Sequence, residues 1–212
     1  MQALAYHYIS EEEYLELEEE SLEKHEYFDG EIFAMAGGTA EHNVLGANVI
    51  VSLGSQLRGK PCRVATSDQR VKVSAEGLYT YPDAVVYCPP FQFDSIKKTT
   101  LLNPVVIIEV LSASTADYDK GKKFDSYKKI ESLRDYVLIS QDEMRVEHFH
   151  RNERDEWIHD AQSTASSAIT LASIDCVLPL ADVYDGIEVP TNSLRAPFSD
   201  EDDFGSATSS DI

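Results

Sequence analysis

The run Pro104-Val-Val-Ile-Ile-Glu-Val-Leu111 is apolar throughout except for Glu109. A carboxylate buried in such a run is costly unless it is paired, hydrogen-bonded or bound to a metal. Asp83 follows Pro82 and opens a second apolar run, Asp83–Cys88; proline is tolerated at the first position of a strand. If the two strands are neighbours, the carboxylates converge on one divalent cation, and hard oxygen ligands of this kind suit magnesium or manganese. Lys123 is the third piece. At about 100° per residue, a helix over Lys120–Ile130 sets Lys123 on one face with Phe124, Tyr127 and Ile130. Lys122, Asp125, Ser126 and Lys129 then take the solvent face. Two carboxylates on a hard cation beside a lysine are equipped for metal-assisted hydrolysis. The plainer alternatives are a structural ion pair at Glu109, a strand-end cap at Asp83, and a Lys123 stem that snorkels to water.

His42 and Glu31 are auxiliary candidates. His42 falls in line with Leu45, Val49 and Leu53, where a lone histidine is usually a satisfied core residue. Glu31 follows Asp29-Gly30 and doubles as an ordinary hairpin position.

The elements that must position these groups are those of one mixed α/β domain. Ser10 with Glu11, Glu12 and Glu13 starts a helix that runs to about Leu22. Asp29-Gly30 between apolar segments marks a hairpin. Leu45, Val49, Ile50, Leu53 and Leu57 recur at helical spacing from Thr39 to about Leu57. Short strands are expected at Arg63–Ala65 and Arg70–Val73. The near-continuous apolar runs Asp83–Cys88 and Val105–Leu111 have the pattern of strands covered on both faces. After the Lys120–Ile130 helix come a strand at Arg134–Ser140, a hairpin of Arg145–His150 with Glu156–Asp160, and a short helix at Leu178–Tyr184. The domain spans residues 1–189, and the acidic, serine-rich stretch 190–212 reads as a disordered tail.

The chain of 212 residues suits a single domain, with 42% apolar and 26% charged residues. No apolar run approaches the ~18 residues of a membrane span, and the start of the chain lacks the pattern of a secretory signal. Cys62, Cys88 and Cys176 are odd in number and far apart, so they read as reduced core residues of a cytoplasmic protein. Acidic residues outnumber basic ones 38 to 18, for a net charge of -20. That counts against strong non-specific grip on DNA, which rests on neutralised phosphates, although Glu11–Glu23 and Asp200–Asp203 carry much of the excess.

Tyr81-Pro82-Asp83 followed by Ile108-Glu109-Val110-Leu111-Ser112 resembles the motif of the PD-(D/E)XK nuclease superfamily. The longer pattern resembles its Uma family of restriction endonuclease-like domains. It takes in Phe28-Asp-Gly-Glu31, Met35-Ala-Gly37, Glu41-His-Asn43, Ser114-Thr115, Tyr118-Asp119, Gly121, Lys123, Tyr127, Ser132-Leu133, Tyr136 and Leu178-Pro-Leu-Ala181. The superfamily motif has lysine two residues after the acidic one, where this chain has Leu111; in the Uma pattern the lysine moves to the following helix, matching Lys123. The resemblance implies a restriction-endonuclease-like central mixed sheet flanked by helices. It implies magnesium (or manganese) on Asp83 and Glu109 with help from the Val110 carbonyl, and Asp83, Glu109 and Lys123 as catalytic residues. The implied function is metal-dependent cleavage of DNA by a homodimer. Two rivals stay open: a degenerate nuclease fold serving as an interaction or regulatory module, and a phosphodiesterase acting on RNA or nucleotides.

Overall fold

Ser10 starts the first helix, α1 (Glu11–Glu20), through a capping box: the Glu13 N–H donates to Ser10 Oγ, and the Glu13 carboxylate accepts from the Ser10 N–H. The computed structural model describes residues 8–95, 97–112 and 115–188. The expected tail 190–212 and the domain boundary at 189 lie outside the described residues. Strands β1 (His25–Phe28) and β2 (Glu31–Ala34) form the expected hairpin. Both turn residues, Asp29 and Gly30, take positive φ (47° and 85°), which the two-residue turn of a twisted hairpin requires. Helix α2 (Ala40–Leu57) is capped by Thr39, whose side chain accepts from the His42 N–H.

Strands β3 (Arg63–Thr66), β4 (Arg70–Val73), β5 (Leu78–Thr80), β6 (Ala84–Tyr87), β7 (Thr100–Leu101) and β8 (Pro104–Leu111) follow. A helical segment comes next in three parts: α3 (Ala116–Tyr118), a π-helical turn Asp119–Lys123, and α4 (Phe124–Tyr127). The described chain closes with β9 (Asp135–Ser140), β10 (Val146–Arg151), β11 (Trp157–Gln162), β12 (Ala168–Leu171), a 3-10 turn, β13 (Cys176–Pro179) and α5 (Leu180–Val183).

The central sheet is six-stranded and mixed, in the order β11-β10-β9-β8-β6-β3, with β8 and β9 parallel. A five-stranded sheet, β2-β1-β5-β4-β7, and the β12-β13 pair complete the architecture. Both faces of the central sheet are covered, which is why β8 reads as a continuous apolar run. Side chains alternate along it. Val106, Ile108 and Val110 pack with Leu45, Val49 and Leu53 of α2 and with Leu171 and Leu178. Ile107 and Leu111 pack on the other face with Phe124, Tyr127, Tyr136 and Leu138. Glu109 shares the parity of Ile107, so it points to the face that the Phe124–Tyr127 helix covers. No helix among the described residues is long and apolar enough to cross a membrane.

Three expectations need correction. The helix expected at Lys120–Ile130 starts earlier, is wound as a π turn through Asp119–Lys123, and ends at Tyr127; Ser126, placed on the solvent face by a regular wheel, is buried. The stretch from Leu178 finishes a strand before its helix begins. The cysteines are not all reduced: Cys62 and Cys88 form a disulfide, and Cys176 is free and buried. The register explains the bridge. Arg63 pairs with Tyr87 in the antiparallel β3–β6 ladder, so the next positions out, 62 and 88, face each other with Cα atoms 4.1 Å apart. Their separation of 26 residues in the chain hides that adjacency. The cytoplasmic expectation loses the support it took from reduced thiols. Cys62→Ser is expected to cost about 2–4 kcal/mol by freeing the unfolded chain. Urea unfolding with and without reductant checks it, and identical curves would show that the bridge does not form in solution.

Candidate active site

Lys123 Nζ lies 2.9 Å from Glu109 Oε1, 3.0 Å from Glu26 Oε1 and 3.4 Å from Asp119 Oδ1. The Lys123 side chain is 6% exposed, and Glu109 and Asp119 are 5% exposed. Each carboxylate arrives on a different element. Glu109 is fixed by the strand alternation of β8, Glu26 comes from β1, and Asp119 sits four residues before Lys123 in the π turn. Single π turns inside helices recur at functional sites; here one carries both Asp119 and Lys123. The Tyr127 hydroxyl donates to Glu109 Oε1 at 3.0 Å. Having given its proton there, it accepts from Thr80 Oγ1 at 2.6 Å. The Tyr136 hydroxyl donates to the Asp119 carbonyl, pinning the turn to β9.

Asp83 stands one position beyond the last β6–β8 pair. Ala84 faces Ile108, so continuing the antiparallel register sets Asp83 opposite Glu109. Neighbours of that kind have Cβ atoms about 4.5–5.5 Å apart. Asp83 Oδ2 accepts from the Val110 N–H at 2.7 Å, and Oδ1 lies 2.8 Å from His42 Nε2. Val110 thus meets Asp83 through its backbone N–H. His42, half-buried at the start of α2, is satisfied by this carboxylate and holds it from the helix side.

The electrostatics follow from three acidic side chains crowded around one ammonium, with Asp83 acting on Glu109 as well. Burial, with the charges of Asp119 and Asp83 and against the pull of Lys123, raises the Glu109 carboxyl to about 8. Burial opposes the charge on Lys123, but Glu109, aided by Glu26 and Asp119, outweighs it and holds the ammonium well above its usual range. The bond to Asp83 raises His42, against the opposing effect of burial. At neutral pH Lys123 is therefore a fixed positive charge, and Glu109 is the group poised to exchange a proton.

The structure brings Asp83, Glu109 and Lys123, together with His42, to one place. Glu31 is not in it: its side chain is exposed in β2, paired across the hairpin with Phe28. Sequence reasoning missed Glu26, Asp119 and Tyr127 as members. Asp119 carried a usable signal, since it lies four residues before the inward-facing lysine.

The donor set fits a hard divalent cation. The acidic groups at the site offer carboxylate oxygens, and the raised pKa of Glu109 marks a surplus of negative charge that a cation would relieve. Among the described residues no group of three or more acidic, histidine or cysteine side chains forms a ready-made cage. Magnesium does not require one, because it takes one or two carboxylates and keeps several waters.

Comparisons with known proteins bear on the family and the fold. The model of the Uma2 family, described as "Putative restriction endonuclease", matches residues 11–178. Two proteins of Synechocystis sp. (strain ATCC 27184 / PCC 6803 / Kazusa) are each 36% identical to this chain. "Uncharacterized protein slr1290" aligns over 179 residues, 84% of this chain and 93% of its own length. "Uncharacterized protein sll1609" aligns over 146 residues, 69% and 82% respectively. A crystal structure from Anabaena variabilis ATCC 29413, titled as a "putative nuclease belonging to DUF820", superposes with a TM-score of 0.70 at 18% identity. It covers 85% of this chain and 99% of that one, and at that identity the likeness is one of fold.

Proposed function

Since this chain belongs to the Uma2 family and has a nuclease-like fold, we propose that it is a metal-dependent endonuclease that hydrolyses DNA phosphodiester bonds at the Asp83–Glu109–Lys123 cluster. One observation carries the reading: Lys123, displaced from the strand to the helix, still reaches Glu109 at 2.9 Å. Asp83 and Glu109 would hold magnesium or manganese, aided by the Val110 carbonyl. The bound ion supplies polarisation of the phosphate and an acidified water. Lys123 keeps its proton at neutral pH, so its part is charge: it stabilises the negative charge that develops at phosphorus. Tyr127 fixes the orientation of Glu109, and His42 that of Asp83. A homodimer would carry two such sites, one for each strand of a DNA substrate.

The test is cleavage of DNA, RNA and mononucleotides with magnesium or manganese. DNA is expected to be cut and to lose that cutting in EDTA. Magnesium is also expected to raise the melting temperature by binding the folded state, and Asp83→Asn to blunt the shift with the fold intact. An unchanged shift in Asp83→Asn would place the stabilising ion elsewhere. No cleavage of any substrate would favour an acidic interaction module, the reading to which the net charge of -20 lends weight.

A further inference from the structure

Three aromatic side chains stay in solvent around this cluster. Phe33 is 48% exposed, and Phe28 and Tyr118 are each 38% exposed. The β1–β2 register sets Phe33 opposite Glu26 and Phe28 opposite Glu31, and opposed side chains share a face. Alternation along β1 puts Glu26 and Phe28 on that same face, the one from which Glu26 reaches Lys123 at 3.0 Å. The other face of the hairpin is the buried one: Tyr27 and Ile32 pack there with Tyr14 and Tyr79. An amphipathic hairpin ordinarily keeps its outer face polar, yet this one carries two phenylalanines. Tyr118 closes the rim from the helix side, with Lys123 Nζ 6.0 Å from its ring centroid. Scattered exposed aromatics are ordinary, whereas a group bordering one acidic cluster marks a binding surface.

The charges at the cluster and the exposed rings together point to the occupant. Gripping a duplex by its phosphates needs free cations. Here Lys123 is shared among three carboxylates, and the chain as a whole carries -20. The attraction that tells one form of nucleic acid from another here is that of ring faces. Bases in a duplex have their faces covered by their neighbours, while an unpaired base offers its own, and aromatic side chains stack on it whatever its sequence. Resting on the nuclease reading, we infer that Phe33 and Phe28, with Tyr118 at the rim, form a stacking platform for an unpaired nucleobase beside the scissile phosphate. The substrate is therefore single-stranded or locally opened nucleic acid.

Fluorescence anisotropy of the full chain tests this, with calcium replacing magnesium and a labelled 12-mer offered single-stranded and as its duplex. The wild type is expected to prefer the single strand. Phe33→Ala and Phe28→Ala are each expected to weaken single-strand binding by roughly 10-fold, within the range for one lost stack, and to leave duplex binding unchanged. Both residues are exposed, so the variants keep the fold. Phe91→Ala removes an exposed aromatic at the opposite end of β6 from Asp83 and is expected to be silent. Phe33→Trp is expected to preserve binding, with its added emission quenched by the single strand. Equal affinity for both forms, no binding of either, or indifference to both phenylalanine substitutions would each overturn the platform. Cleavage, read separately with magnesium, keeps the two ideas apart. A wild type that stacks bases but cuts nothing defeats the nuclease reading alone, and one that cuts while the phenylalanine variants bind and cut normally defeats the platform alone.

Discussion

Glu109→Gln is expected to abolish cleavage while making the metal-free protein more stable at alkaline pH. The two effects have one cause. In the folded chain the Glu109 carboxyl holds its proton up to about 8, against an ordinary value of 4.5. Below the ordinary value both folded and unfolded chains are protonated, and the residue is neutral with respect to stability. As pH rises from there towards 8, the unfolded chain gives up the proton and the folded one keeps it. Stability therefore falls by up to about 1.4 kcal/mol per pH unit. Glutamine reproduces the protonated carboxyl in shape and charge, so this part of the slope disappears. Lys123 still has Glu26 and Asp119 beside it, so the substitution leaves no unpaired ammonium. Urea unfolding in EDTA at pH 5.5, 7 and 8.5 measures the difference. The two proteins should differ least at pH 5.5 and progressively more towards pH 8.5, with the variant the more stable. Magnesium affinity should fall beyond the roughly 10–100-fold that loss of an outer-shell partner costs. Parallel slopes in the two proteins would mean that Glu109 is ionised in the fold and that its burial is fully compensated.

The same residue shows what could be read without coordinates. Glu109 was legible because its neighbours are apolar on both sides, and Lys123 because its helix has an apolar face. The hairpin at Asp29-Gly30 was legible from turn chemistry alone. Glu26 was not. In a chain with 38 acidic residues, a glutamate in a short strand looks like solvated surface, and only the packing of β1 against the helix shows that it is 13% exposed. The π turn was invisible for another reason: a regular wheel already put Lys123 inward, so nothing signalled the altered winding, and the error surfaced only at Ser126. The Cys62–Cys88 bridge depends on the pairing of β3 with β6, a tertiary fact that spacing along the chain does not contain. The face shared by Glu26, Phe28, Glu31 and Phe33 likewise becomes visible only once the register is known.

Lys123→Met is expected to lose about 10²–10³-fold in single-turnover cleavage while binding magnesium more tightly than the wild type. The ammonium and the metal ion neutralise the same carboxylates, so removing one leaves more charge for the other. Without metal, the variant leaves Glu109, Glu26 and Asp119 around an apolar side chain, a loss of about 3–5 kcal/mol for a broken buried pair. That loss should shrink at pH 5.5, where Glu109 is protonated and needs no partner. Magnesium should recover part of it at pH 8. Lys123→Arg keeps the charge but spreads it over a larger planar group; it should hold more stability than Lys123→Met and still cleave poorly. Lys122→Ala, one residue away and exposed, should be close to silent. Tighter metal with lost cleavage is the signature of a charge that acts in the transition state. Loss of metal binding together with cleavage would instead indicate collapse of the site. Cleavage at the wild-type rate in a folded Lys123→Met protein would remove the lysine from the chemistry and leave it a structural counter-ion.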